Sequence, residues 1–298
     1  MRVFLTGATG FIGSYLVPEL IDAGHAVVGL SRSEAGAEAL TRAGVEVFRG
    51  DVNDLDRLST AAEAADGVIH AAFNHDFSNL KRHSEDDRKV IETLGEALAG
   101  SDRPLVVTSG TGLARSKSGG PALETDDHVA SAEFPRAATE EAADALIAKG
   151  GRVMVMRLPQ VHDARHQGRI AQHIQLARQK GWVAYVGEGK NRLPAVHVPD
   201  AVRLFRLALE KGQAGARYHA VGEEGVALRD IAEAIGAALK MPIESITVEA
   251  APEYFGWLAN LAAIDLAASS ALTRQQLAWT PTGPDLLTDL RSTGYSVA

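Results

Sequence analysis

Short apolar runs alternate with amphipathic stretches through the first half of this chain. Residues 2–5, 26–30, 45–48, 67–71, 105–108 and 152–157 read as strands. Between them, residues 11–23, a segment ending at Arg42, and residues 55–65, 86–98 and 135–149 read as helices. Gly24 and Gly44 stop the first two of these helices. Apolar strands alternating with helices predict a parallel sheet covered on both faces. The expected fold class is therefore α/β, a Rossmann-type doubly wound sheet.

After Leu158 the rhythm breaks at Pro159, Gly168, Gly181, Gly187, Gly189 and Pro194. Residues 1–158 are assigned to a dinucleotide-binding domain. Residues 159–298 are assigned mainly to a smaller C-terminal substrate lobe, with some segments returning to the first domain. Residues 160–215 are the expected cleft wall. The polar stretch from Gly112 to His128 follows a strand, which places it at the ligand edge of such a sheet.

The first strand runs into Thr6-Gly7-Ala8-Thr9-Gly10-Phe11-Ile12-Gly13. Gly7 permits a tight turn, Gly10 lets the backbone approach a pyrophosphate, and Gly13 lets the helix pack close to the sheet. Thr9, Phe11 and Ile12 complete the turn, and the helix start offers free N–H groups to the anion. A strand before the turn and a helix after it are the context that gives such glycines meaning.

Ser31-Arg32-Ser33 follows the second strand. An acid at this place grips a ribose 2′-hydroxyl, whereas an arginine suits a 2′-phosphate. Arg32 between two serines favours NADP, with NAD as the alternative because Glu34 lies next in line. Asp51 and Val52 stand where a carboxylate and the next backbone N–H read an adenine; capping of the following helix is the competing role. Ala71 and Ala72, after the fourth strand, are small enough for close approach of a ribose.

Composition narrows the partners. The chain has 298 residues, of which 46% are apolar and 5% aromatic, with a net charge of −8 and no cysteine. That balance suits a globular α/β protein. Nucleic acid and anionic membrane surfaces are unfavourable partners for a chain of this sign. Disulfides, thiolate catalysis and cysteine zinc sites are excluded. No apolar run is long enough to span a bilayer, and no signal segment precedes the first strand, so the expected location is the cytoplasm. The histidines show no metal-binding spacing, so no metal site is expected.

These pieces together resemble the extended short-chain dehydrogenase/reductase superfamily, which includes epimerases and dehydratases. The Gly7–Gly13 turn is similar to its fingerprint, and Asp51-Val52 to its adenine pair. Thr108-Ser109-Gly110-Thr111 resembles its serine/threonine-rich strand end. Arg157-Leu158-Pro159 resembles its segment lining the nicotinamide, which implies that Pro159 touches the cofactor. Val196-His197-Val198-Pro199-Asp200-Ala201-Val202 and Leu277-Ala278-Trp279-Thr280-Pro281 resemble its later motifs. The resemblance also implies a possible homodimer through a four-helix contact built from residues 86–98 and 135–149.

One departure matters most. The superfamily's catalytic pair is a tyrosine with a lysine four positions on, the lysine lowering a phenol pKa that is otherwise near ~10. None of Tyr15, Tyr185, Tyr218, Tyr254 and Tyr295 has a lysine at that spacing. By distance from Ser109, Arg136 takes the tyrosine's place and Glu140 the lysine's. The chain thus looks like an atypical member lacking the pair.

Other groups must then handle the chemistry. Ser109 and Thr111 stand at the right strand end to hydrogen-bond a substrate oxygen. Arg136 suits a substrate carboxylate or a cofactor phosphate, with an ion pair to Glu140 as the plainer role. His162 beside Asp163, His75 beside Asp76, and His197 are the candidate proton donors. Arg165, His166, Arg169, His173, Arg178 and Lys180 form a basic stretch in an acidic protein, joined by Arg192. It suits an anionic substrate or a solvated helix face. The expected function is NADP-dependent oxidation or reduction of a small carbonyl or alcohol. An epimerase or dehydratase of a sugar-like substrate and a non-catalytic NADP-binding regulator are the alternatives.

Overall fold

The computed structural model describes residues 1–74, 76–116 and 119–292. The first half alternates strictly: β1 Arg2–Thr6, α1 Phe11–Asp22, β2 Ala26–Ser31, α2 Glu34–Arg42, β3 Glu46–Arg49, α3 Leu55–Glu63, β4 Gly67–His70, α4 Leu80–Ala97, β5 Leu105–Gly110, α5 Ala138–Ala148 and β6 Val153–Leu158. The second half continues with β7 Gln160–His162, α6 Ile170–Lys180, β8 Val183–Val186, β9 Arg192–His197, α7 Val198–Lys211, β10 Arg217–His219, β11 Glu223–Ala227, α8 Leu228–Leu239 and β12 Ile243–Ile246. Short helices follow: α9 Ala251–Phe255, α10 Ala259–Ala263, α11 Ala271–Leu277 and α12 Leu286–Ser292.

The central sheet has seven parallel strands in the order β10-β6-β5-β4-β1-β2-β3. It is the doubly wound arrangement that the apolar pattern predicts. Alternate residues of each strand feed opposite faces, as a period of two requires. Val3 and Leu5 of β1 pack with Leu16 and Leu20 of α1 and Phe205 and Leu209 of α7. Phe4 packs on the other face with Leu58 of α3, Ile91 and Leu94 of α4, and Leu146 of α5. Strand order reverses between β1 and β4, and ligands bind at the C-terminal edge of such a switch point.

Beyond β6 the chain makes a second set of layers. Strands β7, β9 and β11 form a small sheet, β8 and β12 pair in parallel, and α6 and α8 cover them with apolar side chains of their own. Two segments of this half return to the first: α7 lies on α1, and β10 joins the edge of the central sheet. Helix α4 begins six residues before the stretch read as helical, because its first turns are polar and carry no apolar period. No helix among the described residues is long and apolar enough to cross a membrane.

Candidate active site

The glycine turn is shaped by contacts that leave no room for a side chain. Gly7 has φ +73°, and a Cβ there would stand 2.7 Å from the backbone of Ala71 and Ala72. A Cβ on Gly13 would stand 2.1 Å from the Gly7 carbonyl oxygen. The turn is thus pressed against the chain leaving β4, which brings Gly7, Ala71 and Ala72 together at the switch point. Gly10 caps α1 without a side-chain hydrogen bond, and the first turn carries no acid. An uncapped helix start with close backbone and no competing carboxylate fits a pyrophosphate.

The turn after β2 meets this loop. Ser33 Oγ accepts from the Gly36 amide and caps α2, while Ser31 is buried with its hydroxyl donating to the Ser33 carbonyl. A Cβ on Gly36 would touch Ser31 Oγ, Ser33 Oγ and the Thr9 methyl, so these groups share one small space. Arg32 is exposed and has no ion-pair partner among the described residues. Glu34 is engaged: Arg49 reaches its carboxylate at 2.8 Å and the Ser33 carbonyl at 2.8 Å. Asp51 accepts from the amide and side chain of Asn53, and Asp54 rather than Asp51 caps α3. Val52 is half-buried beside it.

Under the switch point runs a buried polar chain. The Ala72 amide donates to Thr6 Oγ1 at 3.3 Å, and Thr6 Oγ1 lies 2.7 Å from His70 Nδ1. His70 Nε2 lies 2.9 Å from Asp87 Oδ1. One tautomer satisfies every link: the Thr6 hydroxyl donates to Nδ1, and Nε2–H donates to the carboxylate. Asp87 Oδ2 accepts from Arg136 at 2.9 Å and from Thr139 Oγ1. Burial pushes the Asp87 carboxyl up, but Arg136, His70 and Thr139 together hold it below its usual range. Arg136 also donates to the Thr108 carbonyl at 2.9 Å, and its guanidinium stacks 3.9 Å from the Phe73 ring centre.

Arg136 and Glu140 therefore do not pair with each other, although they lie one helical turn apart. Glu140 turns inward and is fully buried. Arg157 grips it with two parallel bonds of 2.8 and 2.7 Å, the Ser109 hydroxyl donates at 2.7 Å, and Arg217 Nε donates at 3.0 Å. Burial opposes the charged form of Glu140, and these donors still hold its pKa down. Arg157 is fully buried too and donates onward to the Asp126 carbonyl and to His219 Nε2. An arginine can only donate, so His219 carries its proton on Nδ1, which donates to the Ser269 carbonyl at 2.8 Å. The Ser109 proton is thereby committed to Glu140. Thr111 opens a short 3₁₀ turn at the same strand end and is buried.

His162 is fully buried, with Nδ1 2.7 Å from Asp289 of α12 and its ring 5.9 Å from that of His197. It belongs to the interior of the second half. His75 lies outside the described residues, as does Tyr295. The basic stretch splits. His173 is buried, and its Nε2 reaches the Ala184 carbonyl at 3.0 Å. Lys180 reaches the Glu253 carbonyl, and Arg192 pairs with Asp265 at 2.7 Å. His166 stacks on Phe11 with ring centres 4.7 Å apart, and the Tyr15 hydroxyl donates to Asp163 at 2.7 Å. These two contacts tie the loop after β7 to the start of α1. Pro159 is buried between β6 and β7.

The two later motifs meet each other. The Asp200 carboxylate accepts from the amides of Thr282 and Gly283 and from Arg203, and the Trp279 indole donates to the Asp200 carbonyl at 3.0 Å. They fasten α7 to the chain near the C-terminus.

The model of the NAD dependent epimerase/dehydratase family matches residues 3–221. The chain belongs to that family. It is 45% identical over 297 residues to an uncharacterized protein of Schizosaccharomyces pombe, covering 99% of this chain and 100% of that one. It is 28% identical over 243 residues to a decarboxylating sterol-4-alpha-carboxylate 3-dehydrogenase of Dictyostelium discoideum, covering 76% and 73% of the two chains. A solved dTDP-glucose 4,6-dehydratase from Streptomyces venezuelae, with NAD and TYD bound, superposes with a TM-score of 0.77 at 19% identity, covering 98% and 96%. The family is an NAD(P)-dependent one, and the shape of the glycine turn fits a pyrophosphate.

Several residues of the site were not singled out in the sequence: Asp87, Thr139, Phe73 and Arg217. Asp87 had a usable signal. It falls at helical spacing with Ser84, Ile91 and Leu94, on the buried face of an otherwise polar helix. A carboxylate within an apolar stripe needs a partner, and the partner is Arg136.

Proposed function

We propose that this member of the family is an NADP-dependent oxidoreductase that interconverts a small carbonyl compound and its alcohol. The observation that carries the reading is Arg136. It stands in the tyrosine's place, fixed by Asp87, the Thr108 carbonyl and Phe73, and about a sixth of its side chain stays accessible. Gly7, Thr9, Gly10, Phe11, Ile12 and Gly13 hold the pyrophosphate, and Asp51 and Val52 the adenine. Ala71, Ala72 and Pro159 line the rest of the dinucleotide. When bound, the nicotinamide supplies or accepts the hydride. Arg136 donates N–H groups to the substrate oxygen and stabilises the negative charge that grows there. A guanidinium does not release a proton at working pH, so water delivers the proton of the product alcohol. Thr111 supplies a second hydroxyl at the same strand end.

NADP is preferred because Arg32 is exposed with no ion-pair partner among the described residues, while the competing acid Glu34 is held by Arg49. A charge-assisted contact to phosphate is worth roughly 1.5–3 kcal/mol. Arg32→Ala should therefore weaken NADP binding by about ten- to a hundredfold and leave NAD binding within about twofold. Equal losses for both cofactors would remove the preference. The activity is tested by following NADPH consumption across a panel of carbonyl compounds. Steady consumption with one of them is the expected result. Turnover of a sugar-like substrate with no net change in cofactor would make the protein an epimerase or dehydratase instead, as the family's name allows. Cofactor binding without turnover of any kind would make it a regulator.

A further inference from the structure

One apolar face of the central sheet ends in polar groups. Phe4 and Val68 pack against α3, α4 and α5, and Thr6 and His70 follow them two residues on, as register partners on adjacent strands. Packing alone asks only for apolar side chains there. His70 is instead buried with both ring nitrogens engaged, Nδ1 2.7 Å from Thr6 Oγ1 and Nε2 2.9 Å from Asp87 Oδ1. Its main chain is engaged as well, because the Thr108 hydroxyl donates to the His70 carbonyl at 2.8 Å.

Both polar supports of Arg136 lead back to this residue. Arg136 meets Asp87 through one nitrogen, Nη1, on one oxygen, Oδ2, at 2.9 Å. This is not the two-bond fork of an arginine on a carboxylate, so its direction follows the plane of the carboxylate. His70 on Oδ1 and Thr139 on Oδ2 fix that plane. The second support is the Thr108 carbonyl, which accepts from Arg136 Nη2 at 2.9 Å, and the Thr108 hydroxyl is itself bound to His70. Arg136, Asp87, His70 and Thr108 thereby close a ring of hydrogen bonds, in which Arg136 keeps an accessible edge. On its far side the ring hangs from Thr6, whose oxygen also accepts from the Ala72 amide beside Gly7.

We propose that His70 is a positioning residue for Arg136: its Nε2–H sets the Asp87 carboxylate, its carbonyl sets Thr108, and together they aim the guanidinium edge at the substrate oxygen from a fixed point on β1. Use of that edge at a substrate oxygen rests on the reductase reading; control of Arg136 by His70 does not. The donor is in place before the substrate arrives, which is the condition under which an electrostatic stabiliser gains most. The arrangement needs one tautomer, with the ring proton on Nε2 and Nδ1 accepting from Thr6.

Two substitutions separate positioning from packing, because an asparagine amide falls near the place of Nδ1 and a glutamine amide near that of Nε2. His70→Asn keeps an acceptor for Thr6 but does not reach Asp87, whereas His70→Gln keeps a donor for Asp87. With NADPH and a carbonyl compound that the wild type turns over, His70→Asn should lower kcat about tenfold. His70→Gln should restore kcat to within about threefold of the wild type, and KM for either substrate should stay within about twofold in both variants. Thermal midpoints are read alongside. A second readout needs no turnover: heteronuclear NMR spectra of the full chain, with the Arg136 Nε–H signal assigned by its loss in Arg136→Lys and the His70 ring signals by their loss in His70→Gln. The wild type should show His70 protonated at Nε2 alone, and an Arg136 signal that His70→Gln keeps and His70→Asn broadens or moves. Equal losses of kcat in the two variants, in step with their thermal midpoints, overturn the proposal. So does the opposite tautomer, or an Arg136 signal indifferent to His70→Asn. If a variant fails to fold, the tautomer of the wild-type ring still decides. Absence of carbonyl turnover in the wild type defeats the reductase reading instead, and the spectra still decide the role of His70.

Discussion

Two arginine–carboxylate pairs lie a few residues apart on either side of α5, and they have opposite characters. Glu140 and Arg157 are sealed, both fully buried and both bound by further donors or acceptors. Arg136 and Asp87 form the other pair, and there the carboxylate is sealed while the arginine keeps an accessible edge. By the spacing from Ser109, Glu140 falls where the superfamily's lysine is expected and Arg136 where its tyrosine is expected. Of these two side chains one is buried in the scaffold and the other keeps an accessible edge. The difference teaches that losing a catalytic pair need not mean losing a site. Each position is judged by where its side chain points and by which partners already claim it.

The largest effect should come from breaking the sealed pair. Glu140→Ala leaves Arg157 buried without its carboxylate and removes a partner of Arg217. The cost of stranding one member of a buried pair is about 3–5 kcal/mol. Denaturant melts should show that loss in full. Glu140→Lys should be worse, since it sets a cation against Arg157 and Arg217 and does not restore the superfamily's lysine. A loss of less than about 1 kcal/mol in Glu140→Ala would mean that the pair is not the keystone its geometry suggests.

Acid should attack the same region next. His219, in contact with Arg157, has its pKa pushed from 6.5 down to about 4 by burial and by the Arg157 charge. His173 is likewise pushed to about 4 by burial. The unfolded chain therefore takes up these protons before the folded chain does. The stability associated with both groups is complete above pH 6.5 and declines as pH falls toward 4. The slope is at most about 1.4 kcal/mol per pH unit for each histidine. His219→Gln should flatten that slope in melts at fixed temperature between these limits. An unchanged slope would show that the histidine is not held neutral in the fold.

The sheet was legible because its information is local. Short apolar strands, glycine stops and the Gly7–Gly13 turn announce themselves within a few residues. The Arg136–Glu140 relation was not legible, because helical spacing offers only a neighbour, while the actual partners come from other elements. Asp87 arrives from α4, Arg157 from β6 and Arg217 from β10. Likewise Arg165 to Lys180 looks like one basic patch in sequence. In the structure its members go to separate places, because a loop and then a helix turn them in different directions. His162 looked available beside the cofactor segment, but its register in β7, opposite His197, carries it into the interior.

The smallest expected effect on stability is also the one that separates the two pairs most sharply. Asp87→Asn keeps the shape of the side chain, but it removes the charge that holds Arg136 and turns one of the two acceptor oxygens into a donor, so the bonds to His70 on one side or to Thr139 and Arg136 on the other must rearrange. Because Arg136 retains the Thr108 carbonyl and the Phe73 face, the folding cost should be about 2 kcal/mol, below that of Glu140→Ala. Turnover should fall by at least about tenfold, because a donor free to swing no longer waits at the substrate oxygen. NADPH affinity should move little, since neither residue holds the dinucleotide. Glu140→Gln should do the reverse, costing stability while sparing turnover measured well below its melting temperature. If instead the two variants lose turnover in equal proportion to stability, Arg136 is scaffold as well, and the turn before α5 supplies no electrophile.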